Sequence, residues 1–156
     1  EALPLSDAEV DAVVAGQAFH WFANAAALSE FARVLRPRGH LGLVWNRRDL
    51  DQPLQAAIGR LIEPYRTRAP ALAGDAWRAA FTHSTPFAPV DERRVAHAQR
   101  LDADGLVDRV LSISFVAALP DDERRSVETR VRELAGDAPV ELRYVAEVSM
   151  YARRTG

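Results

Sequence analysis

Two stretches, Val10-Asp11-Ala12-Val13-Val14-Ala15-Gly16 and Leu41-Gly42-Leu43-Val44-Trp45, decide the fold. Each is short and almost continuously apolar, the pattern of a strand covered on both faces in a parallel sheet. Between them Leu28, Phe31, Ala32 and Leu35 recur at i, i+3, i+4 and i+7, with Asn24 as a candidate cap and Pro37 and Gly39 closing the segment. That spacing predicts an amphipathic helix over Ala25 to Leu35. Strand, helix, strand is a crossover unit, and a crossover makes its two strands parallel.

Outward from this unit, Leu54, Ile58, Leu61, Ile62 and Tyr65 predict a helix from Gln52 to Arg66. A Pro- and Ala-rich connection from Arg68 to Pro89 carries Trp77 and Phe81 at i and i+4, which predicts a short helix inside a long and functional loop. Val90 to Leu101 reads as a strand, with Val95, His97, Gln99 and Leu101 on one side and Ala96 and Ala98 on the other. Leu106, Val107, Val110 and Leu111 make Ala103 to Leu111 a helix. Pro120 opens another at its first position, followed by Asp121, Asp122 and Glu123, with the stripe Val127, Val131, Leu134 and a stop at Gly136. From Val140 to Met150 apolar residues alternate with Glu141, Arg143, Glu147 and Ser149, predicting an antiparallel strand with one wet face. The expectation is an α/β domain with helices on both faces of an open sheet. Because the first strand starts so near Glu1, the sheet reads as part of a larger one, with an edge open to pairing.

Composition limits the chemistry. The 156 residues carry 20 basic and 22 acidic side chains, a formal charge of −2, so no global basic field exists to hold nucleic acid or an anionic membrane. Every basic residue is arginine, which excludes lysine Schiff bases and a Walker-type lysine. With no cysteine, thiol chemistry and disulfides are excluded as well. His20, His40, His83 and His97 lack metal-ligand spacing, no glycine-rich turn links a strand to a helix, and no Gly-x-Ser-x-Gly elbow occurs. No leader-like or membrane-spanning stretch is present, and the expected compartment is the cytoplasm.

What remains is a polar-aromatic cluster after each of the two apolar strands: Gln17, Phe19, His20, Trp21 and Phe22, then Trp45, Asn46, Arg47, Arg48 and Asp49. Ligands of open α/β sheets bind beyond the carboxyl ends of the strands, so both clusters are expected at one crevice. As purely structural residues, the two indoles would cap a core and Arg47 would pair with Asp49 on a solvated loop.

The runs Ala18-Phe19-His20-Trp21, Val34-Leu35-Arg36-Pro37-Arg38-Gly39 and Leu43-Val44-Trp45-Asn46 resemble the class I S-adenosylmethionine-dependent methyltransferases. The pairing of the first with Trp45-Asn46-Arg47-Arg48-Asp49 resembles a small-molecule branch of that family, as does Leu101-Asp102-Ala103-Asp104-Gly105 with Ser112-Ile113-Ser114-Phe115. The resemblance implies a seven-stranded Rossmann-like sheet of which this chain supplies strands four to seven. The glycine-rich cofactor loop would then be missing, and residues 52–89 would be an acceptor-side insertion. It further implies that Glu1, Ala2, Gln17, Ala18, Phe19 and Trp21 border the cofactor, S-adenosylmethionine. His20, Trp21, Asn46, Arg47, Arg48, Ser114 and Phe115 would then face a small-molecule acceptor, with Trp77, Phe81 and Ser112 as cover. Aromatic faces suit a sulfonium cation. For a hydroxyl acceptor His20 is the expected general base, whereas a carboxylate would need only orientation by Arg47 or Arg48. The alternative expectation is a non-catalytic module that pairs its open sheet edge with a partner chain.

Overall fold

Helix α1, Ala25–Val34, begins where its sequence provides a cap: Asn24 is extended, and its side chain accepts a hydrogen bond from the Ala27 N–H at 2.8 Å. Such a cap contributes about 1 kcal/mol. The helix turns Leu28, Phe31 and Ala32 inward and stops at Val34, one residue before the expected end, because Leu35 is already extended. The computed structural model describes residues 2–66, 75–82 and 86–154.

Strand β1, Val10–Gly16, has the predicted bounds, and β2, Leu35–Arg48, is longer than its apolar run because it takes in the turn after α1. Arg38 adopts the left-handed conformation of that turn, with φ of 69°. Gly39 is needed beside it for another reason: a Cβ there would lie 2.9 Å from the Arg36 carbonyl oxygen and 3.1 Å from that of Asp11. The two strands pair in parallel, from Ala12 opposite His40 to Gly16 opposite Val44, with an irregularity between Val10 and Ala12. The crossover unit is therefore as the sequence predicts.

β3, Phe87–Leu101, and β4, Val140–Arg153, complete a four-stranded sheet among the described residues, in the order β1-β2-β4-β3. Contacts fix their sense. The Arg154 N–H bonds to the Pro86 carbonyl, Ser149 Oγ lies 3.1 Å from Glu92 Oε1, and the His97 ring stacks on Tyr144, so β4 runs antiparallel to β3. The Asp49 N–H bonds to the Arg143 carbonyl, while the Arg153 guanidinium reaches that of Leu35, so β4 also opposes β2. The last strand is antiparallel, as expected. Its alternation is not uniform: Leu142 and Tyr144 are buried, then Ser149 and Tyr151, which point to the other face. Ser149 was expected on a wet face and is instead buried, bonded to Glu92.

The chain forms two compact units. One comprises the described residues within Glu1–Asn46, Ala71–Val95 and Ala146–Gly156. Its core joins Leu28, Phe31, Leu41 and Leu43 to an aromatic group of Phe19, Trp45, Trp77 and Phe87. The other comprises those within Arg47–Pro70 and Ala96–Val145. It holds α2 (Pro53–Arg66), α3 (Ala103–Leu111), the single turn α4 (Ser114–Ala117) and α5 (Asp121–Ala135), packed through Ile58, Ile62, Leu106, Val110, Val127 and Val131. Asp102 caps α3 by accepting from the Gly105 N–H at 2.8 Å. Pro120 sits at the cap of α5 and not inside its first turn, and Gly136 ends that helix with φ of 64°. Among the described residues no helix is long and apolar enough to cross a membrane.

Two expectations need correction. β1, an edge strand of this sheet, is not covered on both faces: Ala15 is buried on one, but Val14 is 69% exposed on the other. β3 starts earlier than Val90, and neither side of it from Val90 to Arg100 is deeply buried, with Val90 and Val95 each 55% exposed. The short helix of the long connection is a 3-10 segment, Ala76–Phe81.

Candidate functional site

At the carboxyl end of β1 the chain makes a sharp change of direction through Gln17, whose φ of 54° is left-handed. Glutamine gains nothing sterically from that conformation, and such strain gathers at functional turns. The turn is held by the Gln17 N–H, which donates to the Val44 carbonyl at 2.8 Å. Beside it, a Cβ on Gly16 would meet nothing within 4 Å, so this stretch of backbone faces open space. Ala18 then leads into a 3-10 helix, Phe19–Trp21.

The three residues of that helix separate by direction. Phe19 is fully buried, meeting Phe22 edge-on at 5.6 Å and Trp77 edge-on at 6.1 Å. The structure therefore places Phe19 in the core, where it anchors the turn and presents no face to a ligand. Trp21 is the opposite case, with 57% of its surface exposed. His20 lies between these extremes, its ring 5.0 Å from that of Trp21 and 5.4 Å from that of Trp45. Its Nε2 is enclosed without a hydrogen-bond partner, and burial pushes the imidazole below the ordinary histidine value. Neutral imidazole is thus the form at neutral pH.

Trp45, at the end of the β2 apolar run, is buried and stacks on Trp77 with centroids 5.6 Å apart. The structure brings His20, Trp21 and Trp45 together in the first unit, with the half-buried Asn46 next along β2. Arg47, Arg48, Ser114 and Phe115 belong to the second unit. There Phe115 lies under the Arg66 guanidinium at 5.8 Å, and Ser114 opens α4 on an exposed surface. Trp77 packs in the core and Phe81 stacks on Tyr151 at 4.2 Å. Ser112 donates its hydroxyl to the Arg109 carbonyl.

Glu1 lies outside the described residues, as does His83. Ala2 is exposed, and the segment after it is tied to α1. The Leu3 N–H donates to Glu30 Oε1 at 2.7 Å, and Arg33 bonds both oxygens of Glu30 and Asp7 Oδ1 at 2.8 Å. The Arg33 side chain and the Leu3 N–H hold the Glu30 carboxyl down at about 2. This clamp escapes a reading of the sequence, because Glu30 and Arg33 look like an ordinary exposed i, i+3 helix pair.

The chain matches a family model described as a methyltransferase domain over residues 1–43. It is 36% identical over 138 residues to an uncharacterised methyltransferase-like protein of Schizosaccharomyces pombe, covering 88% of this chain and 54% of that protein. To an uncharacterised methyltransferase of Mycobacterium tuberculosis it is 38% identical over 139 residues, covering 89% and 54%. The chain thus spans about half the length of these curated relatives. Among solved structures, a candidate type II methyltransferase from Anaeromyxobacter dehalogenans matches with a TM-score of 0.61 at 23% identity, over 96% of this chain and 66% of that one. A candidate methyltransferase from Bacillus halodurans gives 0.52 at 17% identity, over 98% and 74%. Over the matched residues the chain is similar in sequence to these methyltransferases, and it shares the fold of the two solved structures.

Proposed function

We propose that the protein carrying this chain transfers a methyl group from S-adenosylmethionine to an oxygen of a small-molecule acceptor, and that this chain is the carboxyl-terminal part of the catalytic domain. The observation that carries the reading is the corner at the end of β1: a neutral histidine with an enclosed, unpartnered Nε2 beside an exposed indole, after a strained turn.

When bound, S-adenosylmethionine supplies an electrophilic methyl group on a cationic sulfur. The residues present fit that end of the molecule. The Trp21 face is exposed and suited to a desolvated cation, and the Gly16–Gln17 backbone is open to close approach. Ala18 and Trp21 would hold this end. His20 accepts the proton of a hydroxyl acceptor; burial lowers its proton affinity, which keeps the base free at neutral pH. An unpartnered buried nitrogen is costly, and a bound hydroxyl is the group that would satisfy it. For a carboxylate acceptor no base is required.

The test is the pH–rate profile of methyl transfer by the full-length protein, with wild type against His20→Gln. Hydroxyl methylation by His20 predicts a rate lowered by roughly 10²–10⁴-fold and loss of the acid limb, which in wild type falls below the ordinary histidine value. An unchanged profile removes His20 as base and leaves the carboxylate route, in which no base is needed. Absence of any transfer defeats the whole reading. A second reading, a non-catalytic module that adds a partner strand to β1, is favoured by the exposure of Val14 at that edge. It predicts partner capture without binding of S-adenosylmethionine.

A further inference from the structure

We propose that the second unit carries a binding site for a compact oxyanion, a carboxylate or phosphate group on a small molecule, built from Arg48 and Arg109 against Tyr144 and Gln55. The site stands independently of the methyl-transfer reading.

Arg48 ends β2, and Arg109 lies in the last turn of α3. The two line one cavity of about 10 Å³ with Gln55 and Tyr144, over an apolar floor that includes Ile58 and Leu142. That volume admits about one water-sized atom, so it fits a single oxygen of an anion whose remainder stays outside. The back wall is fixed. Gln55 donates its amide to the Arg143 carbonyl at 2.9 Å, and the Tyr144 ring meets the stacked His97 at 5.3 Å and the Arg109 guanidinium at 5.9 Å.

Among the described residues, the charges that shift Arg48 are those of Arg109 and Arg66, both of its own sign, together with the Tyr144 phenol. Burial and these like charges lower its hold on its proton. Arg66 is compensated by Glu63 at 3.0 Å. Helix-end placement further accounts for Arg66 and Arg109, since cations complement the dipole there. Arg48 ends a strand and has no such reason to be half-buried among arginines. Converging guanidiniums over an apolar floor are costly alone, and a planar fork of donors matches a carboxylate or phosphate. Both arginines keep partial exposure, so an anion reaches them from solvent.

The protein carrying this chain is titrated with sodium phosphate and, separately, sodium acetate, with chloride holding ionic strength constant. Arginine Nε–H resonances and the melting temperature are followed. Saturable binding is expected, weakened at least tenfold in Arg48→Met and in Arg109→Met but not in Arg124→Met on the exposed face of α5. Saturation by acetate alone identifies a carboxylate ligand, and by phosphate alone a phosphate group. Arg109→Met, at a helix end, keeps the test open should Arg48→Met fail to fold. Non-saturable binding of both anions, or equal affinity in wild type and the two variants, overturns the proposal.

Discussion

The two units use aromatic rings differently. In the first, rings pack mainly on rings, Phe19 on Phe22 and Trp77, Trp45 on Trp77, Phe81 on Tyr151, with a histidine kept neutral among indoles, and the Arg78 guanidinium over Trp77 is neutralised by Glu92 at 2.7 Å. In the second, rings lie under guanidiniums: Phe115 under Arg66 and Tyr144 under Arg109. An uncharged aromatic corner suits a cation and a proton acceptor. A cationic corner suits an anion. The contrast separates two kinds of recognition that the residue types alone leave mixed.

The largest expected effect tests the inner side of the aromatic corner. Phe19→Ala removes a fully buried ring and should cost about 3–5 kcal/mol in denaturant unfolding. Trp21→Ala, at a mostly exposed position, should cost no more than about 1 kcal/mol. Equal costs would mean that the neighbouring residues are not divided between core and surface. Next come the caps, one in each unit. Asn24→Ala and Asp102→Ala should each lower stability by about 1 kcal/mol, since each leaves one N–H unsatisfied. Smaller still is Gln17→Gly, which relieves a left-handed residue and should leave stability within about 1 kcal/mol of wild type or above it, while altering cofactor affinity.

Acidification separates two groups within the first unit. Because the folded-state affinity of His20 is depressed, the unfolded chain takes up a proton that the folded one refuses. Its contribution to stability is therefore whole above the ordinary histidine value and is lost as pH falls from there toward the folded one. The Glu30 clamp behaves as a depressed carboxylate: its contribution is present above the ordinary glutamate range and is lost only as pH falls toward about 2. Carbon-detected titration of Glu30 checks this, and a midpoint in the ordinary glutamate range would contradict the clamp.

Much of the fold is legible from the residues. The bounds of β1, the Asn24 cap and the helical stripes of α2, α3 and α5 follow from local periodicity and capping chemistry, which depend on neighbours in sequence. The misread parts depend on neighbours in space. Val14 is exposed because its face of β1 is left uncovered, and Ser149 is buried because β4 changes its buried face between Tyr144 and Ser149. Within the site, the grouping of His20, Trp21 and Trp45 was readable from their places after two parallel strands. The inward turn of Phe19 was not, since adjacent residues of a short 3-10 helix point in different directions and only packing decides which is covered. Arg109, Gln55 and Tyr144 were missed because they reach one cavity from three separate elements.

Equilibrium binding of S-adenosylmethionine to the full-length protein tests the central claim most directly, with Trp21→Ala in the first unit compared against Arg48→Met in the second. The account predicts saturable binding, weakened about tenfold by loss of the indole face and unchanged by loss of the guanidinium. Binding that ignores Trp21, or no binding by wild type, would contradict it.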